Sequence, residues 1–198
     1  MKKVIIFAAG AFLITALSCQ KQQTNVAENT TTEMPAGKSE AIPDGEILKN
    51  YAVEAQQFLG SQLKQKIAEG GPENALEFCN INAIPLTDSI SKKYKVTIKR
   101  VSDQYWNPDN AANPSELAVI TTYKAMLAAG KMPKGFLKDG HYYSPIVTNS
   151  MCLQCHGTPG KEMTEQTHKK IKSLYPQDKA TGYGVDELRG IFSIAVTP

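Results

Sequence analysis

Apolar residues recur at helical spacing where the folded part of the chain begins. Ile47, Tyr51, Ala55 and Phe58 lie three or four positions apart, and Asp44 before them suits an N-cap. This spacing predicts a helix from about residue 44 to the glycine pair at 70–71, because glycine commonly stops a helix.

A second helix is predicted directly after the glycine pair. Pro72 suits the first position of a helix. Apolar residues at helical spacing then follow at Leu76, Cys79, Ala83, Leu86 and Ile90. Cys79 is therefore expected to face inward with the core. Pro85 is expected to kink or end the helix, because proline removes a hydrogen bond of the helical backbone.

The rest of the chain alternates between strand and helix signals. Strands are predicted at 95–99, 141–147 and 190–196, with Pro145 placing the second of these at a sheet edge. Residues 106–113 form a polar loop, and Asn113 with Glu116 resembles a capping box that opens a helix to about residue 129. A short helix is predicted at 162–174. This order indicates an α+β fold.

The first forty residues predict export rather than a folded element. Lys2 and Lys3 precede an apolar run at 4–17, which is shorter than the ~20 residues that span a bilayer. The run ends at Ala16-Leu17-Ser18-Cys19, which resembles a lipoprotein signal, with Cys19 as the acylated N-terminus. An ordinary signal peptide with a chance cysteine is the alternative. We expect a signal at 1–18, a flexible tether at 19–42 and one folded domain at 43–198, on the periplasmic side of a membrane.

Charge adds little to this interpretation. The formal net charge is +3, and removal of Lys2 and Lys3 with the signal leaves about +1. A balance so close to neutral gives no basic footprint, so we expect no nucleic-acid partner.

The sequence Cys152-Leu153-Gln154-Cys155-His156 is the attachment motif of a c-type haem. Two thiols at this spacing can form thioethers with the two vinyl groups of one porphyrin, and the adjoining histidine can bind iron. A zinc half-site and a thioredoxin-type dithiol are the alternatives. Neither explains His156, the sequence offers no second ligand pair for zinc, and the motif runs into a turn at 157–160. We therefore predict one covalent haem c.

The second axial iron ligand remains open at this stage. The chain has four cysteines, and Cys79 is left over once the lipid and the haem have taken Cys19, Cys152 and Cys155. An unpaired thiol is unusual in an oxidising compartment, although it can serve as a small buried hydrophobe. Methionine or histidine ligands are the competing candidates, at His141, His168, Met126, Met132, Met151 and Met163.

Five blocks of sequence resemble a bacterial family of haem-c-binding, PAS-like domains of unknown function. They are GGPENALEFC at 70–79, YYSPI at 142–146, CLQCHG at 152–157, TGY at 181–183 and ELRGIFS at 187–193. The resemblance implies a central antiparallel sheet flanked by helices and preceded by long N-terminal helices. It also implies that His156 and Cys79 are the metal ligands. Residues 184–187 lack the glycine that the family usually has just before the acidic residue, so the resemblance does not predict the local turn in this chain.

These observations favour a redox role over catalysis. Iron held by both His156 and Cys79 has no vacant position, and no distal His–Arg pair is evident, so we expect no enzyme. A redox or gas sensor acting through a separate partner protein is the first expectation, because of the PAS-like resemblance. The alternative is a membrane-tethered, periplasmic electron-transfer cytochrome.

Overall fold

The computed structural model describes residues 44–196, which fold around one four-stranded antiparallel sheet. The helices are α1 (Gly45–Tyr94), α2 (Pro114–Ala128), α3 (Leu153–His156) and α4 (Glu165–Leu174). The strands are β1 (Val96–Val101), β2 (Phe136–Lys138), β3 (His141–Val147) and β4 (Leu188–Val196), in the spatial order β1-β4-β3-β2. The predicted α+β class is confirmed. The predicted signal, the lipid-bearing Cys19 and the tether lie outside the described residues.

Helix α1 is broken at the glycine pair where the sequence predicts an end. Gly71 has φ of +76°, a left-handed conformation that glycine adopts without strain. The Asn74 side chain donates to the carbonyl oxygen of Lys66 at 2.8 Å across the break. The two parts of α1 contact each other again near their far ends, where the rings of Tyr51 and Tyr94 stack with centroids 3.9 Å apart. The break therefore turns α1 into a helical hairpin.

The sequence predicts that Pro85 kinks or ends its helix, and the second of these outcomes is wrong. The second part of α1 continues through Pro85 to Tyr94, and its C-cap Lys95 is left-handed with φ of 52°. Proline leaves the carbonyl four residues earlier without its usual donor. That residue is Ile81, which is 71% exposed, so water can satisfy the carbonyl. The cost of proline is lower at such a position than in a buried helix.

The sheet is covered on both faces, because strand β4 alternates its side chains between two cores. Phe192 and Ile194 pack with Leu48 of α1 on one face. Ile191 packs with Tyr123 of α2 on the other face. The capping box predicted at the start of α2 is present, with Asn113 and Glu116 bonding to each other's backbone N–H. The N-terminal hairpin and α2 thus sandwich the sheet.

Strand β3 is an interior strand rather than the predicted edge strand. It pairs with β4 along its length and with the three-residue strand β2 at His141 to Tyr143. Pro145 lies beyond the end of β2, so only β4 adjoins it, and its missing N–H costs no second ladder bond. Strand β2 is not predicted from the sequence, although Asp139 and Gly140 before β3 form the hairpin turn with φ of 51° and 74°.

The last helix starts three residues later than predicted. Thr164 caps α4 by accepting from the backbone N–H of Thr167 at 3.0 Å, whereas Glu162 accepts from the backbone N–H of Thr158 at 3.1 Å. Helix α4 packs on the second part of α1, where Thr167 donates to a Glu73 carboxylate oxygen at 2.6 Å. None of the described helices has the length and apolar content needed to cross a membrane.

Candidate functional site

A cavity of about 280 Å³ lies between the second part of α1, the ends of β1 and β4, and the segment that carries α3. Its walls are mostly apolar and aromatic. Cys79, Cys152, Cys155 and His156 all line it. The cavity therefore brings together the four residues that the sequence analysis assigned to one cofactor. A concave apolar site with a few polar groups is the usual form of a ligand pocket.

The Cys-x-x-Cys-His motif is folded as a single helical turn. The N–H of His156 donates to the carbonyl oxygen of Cys152 at 2.9 Å, and Asn149 accepts from the N–H of Met151 through its side chain at 3.0 Å. Residues three or four apart lie on one side of a helix. This turn therefore presents both thiols and the imidazole to the same cavity.

The two motif thiols are unpaired and differ in burial. Cys152 is half-buried, whereas Cys155 is buried against Leu76 and Met163. Burial raises the pKa of the Cys155 thiol to about 12, and the nearby Cys79 adds to this effect. Cys155 is therefore a neutral thiol here.

One hydrogen bond fixes the protonation of His156. Its Nδ1 lies 2.8 Å from the carbonyl oxygen of Ala180. A carbonyl can only accept, so Nδ1 carries the proton and Nε2 carries the lone pair. Burial lowers the pKa of His156 well below its usual value, and the charge of Arg189 lowers it further. A neutral imidazole with Nδ1 held by a carbonyl is the usual state of a metal-binding histidine.

Trp106 and Arg189 hold the imidazole in place. The Trp106 ring lies against it with centroids 4.3 Å apart, and Tyr175 in turn stacks on the indole at 5.2 Å. Arg189 donates from Nε to Nε2 of His156 at 3.3 Å. Packing and hydrogen bonding therefore restrain the ring of His156. Its Nε2 lies beside Arg189 at the wall of the cavity.

Cys79 lies on the wall that the second part of α1 contributes. Cys79 faces inward, as the helical spacing predicts, but it borders the cavity: the residue is half-buried and belongs to none of the core clusters of the described chain. Burial raises the pKa of its thiol, and the positive charge of Arg100 opposes the increase. Cys79 thus faces the cavity with a cation nearby.

Most of the competing candidate ligands lie elsewhere. Met126 packs on the α2 core, Met163 is fully buried against Cys155, and Met132 is 62% exposed. His141 donates to the carbonyl oxygen of Asp139 at 3.0 Å at the start of β3, and it does not line the cavity. His168 is half-buried on α4 and does not line the cavity. Among these candidates only Met151 shares the cavity with Cys79.

Sequence reasoning missed Arg100, Arg189, Trp106 and the carbonyl of Ala180. The carbonyl has no sequence signal, because its role depends on a contact across 24 residues. The two arginines did have a sequence signal, because the chain has only two arginines against twenty lysines. Both line the cavity. Between residues 44 and 196, no three His, Cys, Asp or Glu side chains are grouped so that they could hold a metal ion by themselves.

Two comparisons place this architecture among known proteins. The family model described as "Tll0287-like: Tll0287" matches residues 21–197. The crystal structure of the cyanobacterial heme-protein Tll0287 superposes with a TM-score of 0.55 at 21% sequence identity, covering 78% of this chain and 96% of that one. None of the curated proteins matches the chain.

The structural match confirms the PAS-like fold predicted from the sequence, with its open antiparallel sheet and long N-terminal helix. The resemblance to a family of PAS-like domains of unknown function is likewise confirmed. The family match extends over nearly the whole chain, from before α1 to the end of β4. The chain therefore belongs to the Tll0287-like family.

Proposed function

We propose that this protein is a c-type haem protein with a redox role. One observation carries the proposal: a single cavity is lined by both thiols of the attachment motif, by His156 and by the unpaired thiol of Cys79. Cys152 and Cys155 would hold one haem covalently, and His156 would bind its iron. The relative with the same fold is a heme-protein, which supports this assignment.

The residues of the cavity fit this group. His156 is neutral, and its Nδ1 hydrogen bond leaves Nε2 as the ligand atom. The walls are largely apolar, as a porphyrin requires, and the described residues that line them include two cations and no carboxylate side chain. The Nε of Arg100 is buried, without a hydrogen-bond partner in the part of the chain that the structure describes. A bound group with anionic substituents would satisfy that orphaned donor.

Cys79 is proposed as the second residue that would hold the iron. It lines the cavity together with His156. Burial raises the pKa of its thiol, and the positive charge of Arg100 partly offsets that increase. Bound haem would supply one-electron redox chemistry, with a thiolate ligand favouring the oxidised state and a methionine the reduced state. Two protein ligands leave no position for a substrate, so we propose no catalytic activity.

The proposed role is redox or gas sensing, with the signal passed to a separate partner protein. The PAS-like fold supports it. The partial exposure of Cys79 supports it as well, because a half-buried side chain is less constrained by packing than a buried one. Exposure of the reduced protein to carbon monoxide tests this role. A shifted absorption spectrum is expected, and an unchanged spectrum would contradict gas sensing while leaving haem attachment intact.

Electron transfer is the second candidate, and the aromatic contacts favour it. His156, Trp106 and Tyr175 form a continuous series of rings, with successive centroids 4.3 and 5.2 Å apart. Tyr175 is half-buried, so the series reaches from the proposed iron ligand towards the surface. Tyr175→Leu, which leaves Trp106 against His156, is expected to slow reduction by a soluble electron donor without shifting the equilibrium potential. Equal rates in both proteins would argue against this route.

The location is part of the proposal. We propose that the chain is exported and that Cys19 carries a lipid that anchors it to the periplasmic side of a membrane. Mass spectrometry of the mature N-terminus tests this directly. An acylated Cys19 is expected, whereas cleavage elsewhere with a free thiol would reduce the segment to an ordinary signal peptide. No nucleic-acid partner is proposed.

Expression with a haem-c attachment system tests the cofactor. The wild type is expected to retain haem through denaturing electrophoresis and acid–organic extraction, and a Cys152→Ala/Cys155→Ala variant is expected to lose it. Wild-type protein that releases its pigment, or never carries any, would refute the proposal.

The second ligand is tested with a matched pair of variants. Cys79→Ala should remove a low-spin thiolate signal from the electron paramagnetic resonance spectrum. Met151→Ala removes the other candidate ligand in the cavity and should leave that signal unchanged. The reverse result would assign the ligand to Met151, and no change in either variant would leave Cys79 as a wall residue.

A further inference from the structure

The cavity holds every arginine of the chain. The sequence has 22 basic residues, and only Arg100 and Arg189 among them are arginines. Both line the cavity, and none of the other lining residues within 44–196 is a lysine, an aspartate or a glutamate. Arginine differs from lysine in offering a planar fork of donors that matches a carboxylate or a phosphate. Its restriction to one cavity points to recognition of such groups there.

A β-bulge directs Arg189 into the cavity. Ile146 of β3 pairs with Gly190 and Val147 pairs with Leu188, so Arg189 is an extra residue in β4. In a regular strand Arg189 would point to the same face of the sheet as Ile191, which is the face that packs against α2. The bulge instead lets Arg189 and Gly190 both line the cavity. Bulges are commonly found where a side chain is re-aimed beside a functional site.

Arg100 reaches the same cavity from the neighbouring strand. It lies opposite Phe192 in the β1–β4 ladder, on the face that packs against α1. Its Nε is fully buried and has no hydrogen-bond partner among residues 44–196. No carboxylate within this range forms an ion pair with either arginine. A guanidinium whose Nε is buried without a partner or a counter-charge is costly, so an anionic partner is expected.

The present contacts of Arg189 are weak or replaceable. It donates to Nε2 of His156 at 3.3 Å and to the carbonyl oxygen of Gln104 at 2.8 Å, and it lies over the Tyr183 ring. A metal ion at Nε2 would take the lone pair that Arg189 uses. The guanidinium would then need another acceptor within its reach.

We infer that Arg100 and Arg189 form a clamp for two carboxylates, and that these are the propionate groups of the proposed haem. The inference rests on the proposed function. The clamp accounts for the bulge, for the orphaned Nε of Arg100 and for the use of arginine in this cavity alone. It would help to orient the porphyrin, independently of the two thioethers and of the residues proposed to hold the iron.

A competing explanation is that Arg100 only balances the charge of Cys79, which lies near enough to affect its pKa. The two explanations differ in what they predict for a protein without Cys79. If the clamp exists, Arg100 still contacts a propionate in a Cys79→Ala background. If Arg100 serves only Cys79, its replacement in that background has no effect on the propionates.

Resonance Raman spectra of the holo-protein test the clamp, because the propionate bending band reports hydrogen bonds to these groups. Arg100→Gln and Arg189→Gln should each shift the band, and the double variant should shift it further. Arg→Lys variants keep the charge but lose the fork, and they should give intermediate shifts. Lys99→Gln is the matched control, since it removes an exposed positive charge on the neighbouring position of β1.

The outcomes separate this inference from the function on which it depends. Each variant is first checked for covalent haem by denaturing electrophoresis. A band that stays in place in both Gln variants, with haem attached, would overturn the clamp and leave the haem assignment standing. An Arg100→Gln shift that vanishes in the Cys79→Ala background would also overturn it. Loss of haem from the wild type would instead refute the proposed function.

Discussion

Asp186 occupies a backbone conformation that glycine adopts more easily. Its φ is 61°, and the turn is held by Thr148, whose carbonyl accepts from the N–H of Asp186 at 3.0 Å. The Thr148 hydroxyl also donates to the carbonyl oxygen of Gly184 at 2.7 Å. The turn that the family resemblance could not predict therefore forms without the usual glycine, at the expense of left-handed strain in an aspartate.

Replacing Asp186 by glycine should stabilise the protein by about 1 kcal/mol, because the left-handed conformation costs an L-residue roughly that much. Urea unfolding of the same haem state of both proteins measures the change. Asp186→Ala is the control, since alanine removes the carboxylate and keeps the strain. If the glycine and alanine variants are equally stable, the strain argument fails.

Gly157 follows His156 at a point where the chain leaves no room for a side chain. A Cβ there would lie 2.6 Å from the carbonyl oxygen of Leu153 and 2.7 Å from Cβ of Glu162. The carbonyls of His156 and Gly157 accept from Tyr183 and Gly182, so this segment cannot shift freely. Gly157→Ala should destabilise the protein by about 1–3 kcal/mol, as overpacking does in other cores. Urea unfolding measures the change in the free energy of unfolding, and a change below a few tenths of a kcal/mol would contradict the overpacking argument.

At the scale of elements, the sequence predicts what local patterns control. Periodicity and the glycine pair locate both parts of α1, and the capping box locates the start of α2, because these signals act within a few residues. Strand β2 is too short for periodicity to reveal. The continuation of α1 through Pro85 and the interior place of β3 depend on solvent exposure and on neighbouring strands, which a local pattern does not contain.

Two glycines in α1 should respond in opposite ways to the same substitution. Gly60 lies within the first part, and a Cβ there would meet nothing within 4 Å, so Gly60→Ala should stabilise the protein by about 0.5–1 kcal/mol. Gly71 has φ of +76°, so Gly71→Ala should destabilise it by about 1 kcal/mol or more. Urea unfolding of both variants and of the wild type gives the sign of each change in the free energy of unfolding.

The break at Gly71 also sets the position of Cys79, which the second part of α1 carries to the cavity. A Gly71→Ala protein that folds is therefore expected to show a weakened thiolate signal in its electron paramagnetic resonance spectrum, whereas Gly60→Ala should leave it unchanged. Stabilisation by both substitutions would show that the helix prefers to run straight, and the hairpin interpretation would be wrong.

At the scale of the whole molecule, the site is assembled from segments that are distant in sequence. The attachment motif is local, so the sequence identifies Cys152, Cys155 and His156 as a group. The cations reach the same cavity only because β1 and β4 are neighbours and β4 carries a bulge. Strand pairing and bulges depend on long-range contacts. The sequence therefore shows that arginines are rare in this chain, but it does not show that both line one cavity.

The only tryptophan of the chain offers a test of this assembly. Trp106 lies against His156, with ring centroids 4.3 Å apart, and it lines the cavity. Haem absorbs at the wavelengths where tryptophan emits, so haem attached in the cavity should quench the fluorescence of Trp106 almost completely. The haem-free Cys152→Ala/Cys155→Ala variant should emit strongly. Urea should restore emission from the holo-protein, because Trp106 and the attachment motif are far apart in sequence and separate on unfolding. Strong emission from folded holo-protein would place the haem outside the cavity, even if both thioethers were intact.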